Sequence, residues 1–269
     1  MSLPEGRETS CLETRELFVS YGSTLVVDSL DLSVPSGALT ALTGPNGSGK
    51  STILRTLSGL LKPGHGTVLL DGLSISRLST REVAQRVGVL SQGPVAPEGL
   101  TVQDLVRQGR YPHRPLFGRW SEKDAVAFNN ALALTGMTDL RERPVDQLSG
   151  GQRQRAWIAM TLAQETPILL LDEPTTFLDL AHQIEVMELA SDLVRKMGKT
   201  IVAVLHDLNQ AARYADHMVM LKGGRIVASA PPAKVMTAET IREVFNVNSV
   251  VMPDPVTNTP MCIPLSRRD

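Results

Sequence analysis

One run of residues, Gly44-Pro45-Asn46-Gly47-Ser48-Gly49-Lys50-Ser51, constrains this chain more than any other feature. It fits G-x-x-x-x-G-K-[ST] and lies between the apolar run Leu39 to Leu42 and an apolar-periodic stretch from Ser51 to Leu57, which predicts strand, loop and helix in that order. In that setting glycines let backbone N–H groups converge on phosphate oxygens, and the helix N-terminus adds partial positive charge. The pattern assigns Gly44, Pro45, Asn46, Gly47, Ser48, Gly49, Lys50, Ser51 and the adjoining Thr52 to binding the phosphates of a nucleotide. Lys50 is expected on the β- and γ-phosphates and Ser51 on Mg2+.

A phosphate loop needs a carboxylate partner, and Ile168-Leu169-Leu170-Leu171-Asp172-Glu173 supplies one: an apolar run ending in two acids. It reads as a buried strand that delivers carboxylates at its C-terminal end, where open α/β sheets bind ligands. Asp172 is expected in the Mg2+ shell and Glu173 as the general base for the attacking water. Taken alone, two acids after a strand also describe a solvated turn.

The rest of the chain repeats the scheme of apolar run, polar turn and helical pattern, the mark of an α/β fold with a mainly parallel sheet. Thr67 to Leu70 followed by Asp71-Gly72 predicts a hairpin, hence an antiparallel portion near the N-terminus. Ser79-x-x-Glu82, Thr101-x-x-Asp104 and Ser121-x-x-Asp124 are expected helix starts, and Gly93 to about Leu148 shifts toward helix, which predicts a helical insertion. Val186, Met187, Ala190, Leu193, Val194 and Met197 form a 3.6-period stripe that Gly198 ends. Lys222-Gly223-Gly224 predicts a tight turn, and the Pro-rich stretch from Met252 to Pro264 carries no strong pattern.

Composition narrows the classes. With 27 basic and 28 acidic residues the net charge is −1, so no global field favours nucleic acid or anionic lipid. The only cysteines, Cys11 and Cys262, are too few for a disulfide framework and read as free thiols of a reducing cytosol. Met1 to Ser10 is polar, without a signal core, so export is not expected. The apolar runs fall well short of the roughly 20 residues a membrane span needs, so work at a membrane would require docking on other subunits. His65, His113, His182 and His217 lack metal-ligand spacing, and no transition-metal site is predicted.

Leu148-Ser149-Gly150-Gly151-Gln152 has two compatible readings. Ser149 and Gln152 form a capping box, but consecutive glycines at a helix start are costly unless something approaches the backbone closely. The run resembles the ABC signature, and with it the chain resembles an ABC transporter ATP-binding subunit from Leu17 to about Val247. The resemblance implies an ABC ATPase fold: a RecA-like, mainly parallel sheet with an N-terminal antiparallel β subdomain and an inserted α-helical subdomain. It places one ATPase domain at 12–247, the helical subdomain at about 93–155, and a C-terminal tail at 248–269.

By the same resemblance, two ATPs lie at the interface of a head-to-tail dimer with a second copy of the chain, where Ser149, Gly150, Gly151 and Gln152 of one copy reach the γ-phosphate held by the other. Tyr21 resembles the aromatic that stacks on adenine, and Gln92 the Q-loop glutamine near Mg2+ and the permease. Thr176-Phe177-Leu178-Asp179 resembles the D-loop, with Asp179 communicating across the dimer, and His206 the switch histidine at the γ-phosphate. Taken singly, Tyr21 also fits an edge-strand aromatic, and Gln92 and His206 fit polar residues at strand ends.

Gly109 to His113, Gly151 to Met160, Asp172 to Gln183 and Leu205 to Asp216 resemble bacterial ferric-siderophore importer ATPases. That resemblance implies an ATP hydrolase on the cytoplasmic face of the membrane, peripheral, bound to permease subunits and served by a separate substrate-binding protein. Heme, cobalamin and other metal-chelate importers are the near alternative. A non-transport ABC ATPase is a further one. The repair type is disfavoured because about one hundred residues separate Lys50 from Leu148 with no sustained heptads. The ribosome-associated type is disfavoured because only one cassette is present, and the iron–sulfur-assembly type lacks the siderophore-like stretches. A catalytically dead module fits poorly, since Lys50, Asp172, Glu173 and His206 are all there.

Overall fold

The computed structural model describes residues 10–114 and 118–266, so the polar opening segment falls almost wholly outside the described residues. The chain begins with β1 (Ser10–Tyr21), β2 (Thr24–Pro35), β3 (Leu39–Thr43), α1 (Lys50–Leu57), β4 (His65–Leu70), β5 (Leu73–Ser74), α2 (Thr80–Ala84) and β6 (Val87–Leu90). A helical stretch follows: α3 (Val102–Gln108), α4 (Glu122–Leu134) and α5 (Gly150–Ala163). Then come β7 (Ile168–Asp172), α6 (Leu180–Met197), β8 (Thr200–Val204), α7 (Leu208–Tyr214), β9 (His217–Lys222) and β10 (Arg225–Ala230). The chain closes with α8 (Pro232–Val235), α9 (Ala238–Phe245), β11 (Ser249–Pro253) and β12 (Pro260–Pro264).

The larger sheet runs β10-β9-β3-β8-β7-β6 and is parallel except for its edge strand β10; an antiparallel sheet runs β2-β1-β4-β5. Alternation along the central strands splits their side chains between two cores. Leu42, Leu170, Val202, Val204 and Leu221 pack with Ile53, Leu54 and Leu57 of α1 and with Leu17 and Leu30 of the smaller sheet. Ala41, Leu169, Leu171, Ile201 and Met218 pack on the opposite face with Val186, Met187 and Leu193 of α6. Burial on both faces is why these strands are continuous apolar runs rather than alternating ones. The Asp71-Gly72 hairpin, the αL cap at Gly198 and the capping boxes at Ser79, Ser121 and Ser149 all form.

The helical insertion between β6 and β7 has its own core of Val102, Leu105, Phe128, Leu132, Ala156 and Ala159, with α5 running on to Ala163. Arg110 is buried at its base. Its Nε donates to Asp124 Oδ1 at 2.9 Å, and its Nη1 donates to the Ala163 carbonyl and to Glu165 Oε2, both at 2.7 Å. Removing one partner of a buried ion pair strands the other, so Arg110→Ala is expected to cost about 3–5 kcal/mol in urea unfolding. Burial works to raise the pKa of Asp124, but hydrogen bonds from Ser121 and then Arg110 outweigh it and hold the carboxyl at about 2. A depressed carboxylate pKa means that this contribution is present above the ordinary value of 3.8 and is lost as pH falls through about 2.

The C-terminal stretch left without a pattern by sequence folds as an antiparallel hairpin of β11 and β12, and Cys262 packs into the α6-side core.

Candidate active site

The phosphate loop joins β3, a central strand, to α1. Every helix from α2 to α7 starts on a Ser, Thr or Asp side chain that accepts a hydrogen bond from the first turn. α1 does not: its N-cap is Gly49, at φ 97°, with no side-chain cap. The first-turn amides of a helix have no intrahelical acceptors, so this N-terminus is left for an anion. A Cβ on Gly44 would overlap the carbonyl oxygen of Leu221, which fixes glycine at the start of the loop.

An open cavity of about 610 Å³ lies over this helix end, lined by Asn46, Gly47, Gly49, Lys50, Ser51 and Thr52 together with Val26, Gln92, Glu173, Thr176, Phe177 and His206. Five separate stretches of sequence thus meet around it. Gly44, Pro45 and Ser48 belong to the loop but are not among the lining residues. Tyr21 stands half-exposed at the end of β1, paired with Thr24, and is not among the lining residues; Val26 forms that wall.

Lys50 is buried and its Nζ donates to the carbonyls of Gly44 at 2.8 Å and Pro45 at 2.9 Å. Burial pushes its pKa down, opposed by the charges of Glu173 and Asp172. Ser51 Oγ donates to Asp172 Oδ1 at 2.9 Å, and burial raises the Asp172 carboxyl against that bond.

Glu173 is the hub. Its Oε1 lies 2.7 Å from His206 Nε2, and its Oε2 accepts from Gln92 Nε2 at 2.6 Å and Thr176 Oγ1 at 2.9 Å. Burial works to raise its pKa, but the His206 and Thr176 hydrogen bonds, the His206 charge and the Gln92 bond outweigh it and hold the carboxyl below the ordinary range. Its backbone sits at φ 54°, a left-handed conformation costing of order 1–3 kcal/mol in a non-glycine residue, as at sites where the surroundings dictate geometry.

Ser149 to Gln152 form the start of α5 and do not line the cavity of their own chain. Ser149 and Gly150 are exposed, but Gly151 is buried, and a Cβ there would overlap the His182 ring. The close approach that the paired glycines imply is therefore met at Gly151 by the chain's own imidazole, while Gly150 stays open. Asp179 caps α6, accepting from the His182 amide at 3.0 Å and lying 2.6 Å from its Nδ1. Sequence reasoning did not single out Thr176 as a Glu173 partner; the signal was a hydroxyl three residues after the acid, within reach of a local turn. Val26 and Phe177, as lining residues, had no local signal.

A model of the ABC transporter family matches residues 27–176. The chain is 52% identical over 256 residues to the ferric enterobactin transport ATP-binding protein FepC of Escherichia coli K12, covering 95% of this chain and 94% of that one. It is 53% identical over 253 residues to the petrobactin import ATP-binding protein FpuD of Bacillus anthracis, covering 94% and 93%. Among solved structures it is similar to an inward-facing metal-chelate type ABC transporter, with TM-score 0.84 at 27% identity over 97% of this chain and 99% of that chain. It is also similar to the dimeric bacterial ABC transporter cassette MJ0796, with TM-score 0.73 at 28% identity over 82% and 98%.

Proposed function

The chain belongs to the ABC transporter family, and from that premise we propose that it is the ATP-hydrolysing subunit of an importer for ferric siderophores. The observation that carries the solute class is near-full-length identity above one half to proteins named for enterobactin and petrobactin transport. No helix among the described residues is long and apolar enough to cross a membrane. Relatives named as ATP-binding proteins of transport systems support work with a separate permease. The subunit sits against it on the cytoplasmic face, with the helical insertion after Gln92 passing motion across and a binding protein delivering solute.

ATP phosphates bind the uncapped N-terminus of α1, and Lys50 exchanges its two loop carbonyls for phosphate oxygens. Tyr21, at the end of the strand that pairs with the one carrying Val26 of the cavity lining, meets the adenine. The Ser51 hydroxyl and Asp172 carboxylate, already in contact, are the hard oxygen donors that suit Mg2+, and Gln92, which lines the same cavity as Ser51, would add a further oxygen. Bound there, Mg2+ would neutralise phosphate charge and help align the chain of phosphates. Glu173, kept ionised by its donors, takes a proton from the water whose oxygen bonds to the γ-phosphorus as the bond to ADP breaks. His206 orients Glu173 and contacts the γ-phosphate. Ser149 to Gln152 do not line their own chain's cavity, which supports a head-to-tail dimer in which they cap the nucleotide of the second copy, with Asp179 at the seam.

A strain lacking this gene and its paralogues, grown under iron limitation on single defined siderophores, is expected to lose growth and uptake on at least one of them. Normal growth on every siderophore, with loss of heme or cobalamin uptake instead, would assign the motor to another chelate.

A further inference from the structure

α7 begins at Leu208, one N-cap residue after His206, and its first turn is fixed from three directions. Its N-cap, Asp207, accepts from the amides of Asn209 at 2.8 Å and Gln210 at 2.9 Å. Gln210 reaches the loop after Glu173, where it accepts from the Thr175 hydroxyl at 3.3 Å. The Asn209 carboxamide reaches the other way, to the C-terminal hairpin: its Oδ1 accepts from the Cys262 amide at 2.7 Å and its Nδ2 donates to the Cys262 carbonyl at 3.1 Å. This two-way exchange is what a neighbouring strand would offer β12, so one side chain stands in for a strand. The Cys262 side chain packs below into the core that holds Ala211 and Ala212.

We infer that Asn209 is a positioning residue for ATP hydrolysis: by clamping the first turn of α7 to Cys262 it sets where His206 stands against Glu173, which makes the C-terminal hairpin part of the site's scaffold. His206 has a side chain 41% exposed, so neighbouring packing alone does not immobilise it. What fixes its backbone is the turn that follows. The inference rests on the reading that His206 and Glu173 act together in hydrolysis.

The test is a double-mutant cycle in the full chain, with Asn209→Ala and His206→Ala made singly and together and read by steady-state ATPase and by nucleotide binding. Misplacing a group that must align for reaction is expensive, so Asn209→Ala is expected to lower kcat about tenfold while the KM for ATP and nucleotide affinity stay unchanged. In the His206→Ala background the same change is expected to have no further effect, because the group it positions is gone. Asn209→Asp keeps the acceptor for the Cys262 amide and loses the donor; its kcat should fall between, and it carries the cycle if the alanine variant does not fold. Wild-type kcat in Asn209→Ala, or an equal loss in both backgrounds, overturns the inference. Unchanged kcat in His206→Ala alone overturns the reading beneath it, without reference to Asn209.

Discussion

Glu173→Gln is expected to lower ATP turnover by about 10²- to 10⁴-fold while ATP binding stays intact. The substitution keeps size and shape in a strained backbone position, where φ is 54°, and removes the charge and with it the capacity to take a proton. The donors arranged around the side chain favour charge: His206, Thr176 and Gln92 all point at the carboxylate, and together they outweigh its burial. A group kept ionised in this way is available as a base over the whole neutral range, so the loss should not be recovered by raising pH. Turnover measured alongside equilibrium binding of a fluorescent ATP analogue separates the two effects. A fully active variant would remove Glu173 from the reaction.

Lys50→Ala is expected to act a step earlier, on binding itself. An ammonium about 4 Å from a phosphate is worth on the order of 4 kcal/mol at an effective dielectric of ~20, before desolvation is charged against it. Lys50 is already buried, so much of that desolvation is incurred on folding, and a loss of about two orders of magnitude in ATP affinity follows from roughly 2.8 kcal/mol. Alanine also releases the carbonyls of Gly44 and Pro45, loosening the loop. Titration calorimetry with ATP reads this directly. Unchanged affinity would mean that the loop does not hold phosphate.

What sequence could show was whatever chemistry is local. The phosphate loop, the apolar run ahead of Asp172 and the capping boxes at Ser79, Ser121 and Ser149 are each written in a few consecutive residues, and each forms as expected. The hub around Glu173 was legible only in part. Gln92 and His206 resembled known elements at strand ends, but Thr176 joins them through a local turn that no periodicity marks. Gly151 shows a subtler limit. Its missing side chain signalled a close approach, and the approaching group is His182, far along the chain. Arg110 lay in a recognised stretch, but its burial against Asp124 depends on how the insertion closes. The C-terminal hairpin stayed hidden because Pro253 and Pro260 sit at the ends of β11 and β12 and break the strand signal. Its anchor, Asn209, belongs to another element altogether.

In the proposed arrangement ATP is held by one copy of the chain and enclosed by the start of α5 from another. That arrangement is tested most directly by the mass of the Glu173→Gln variant in solution, from light scattering with and without ATP and Mg2+. A monomer is expected without nucleotide and a stable dimer with it, because ATP bound but not hydrolysed keeps the two faces joined. A variant that binds ATP at full occupancy and remains a monomer would contradict it.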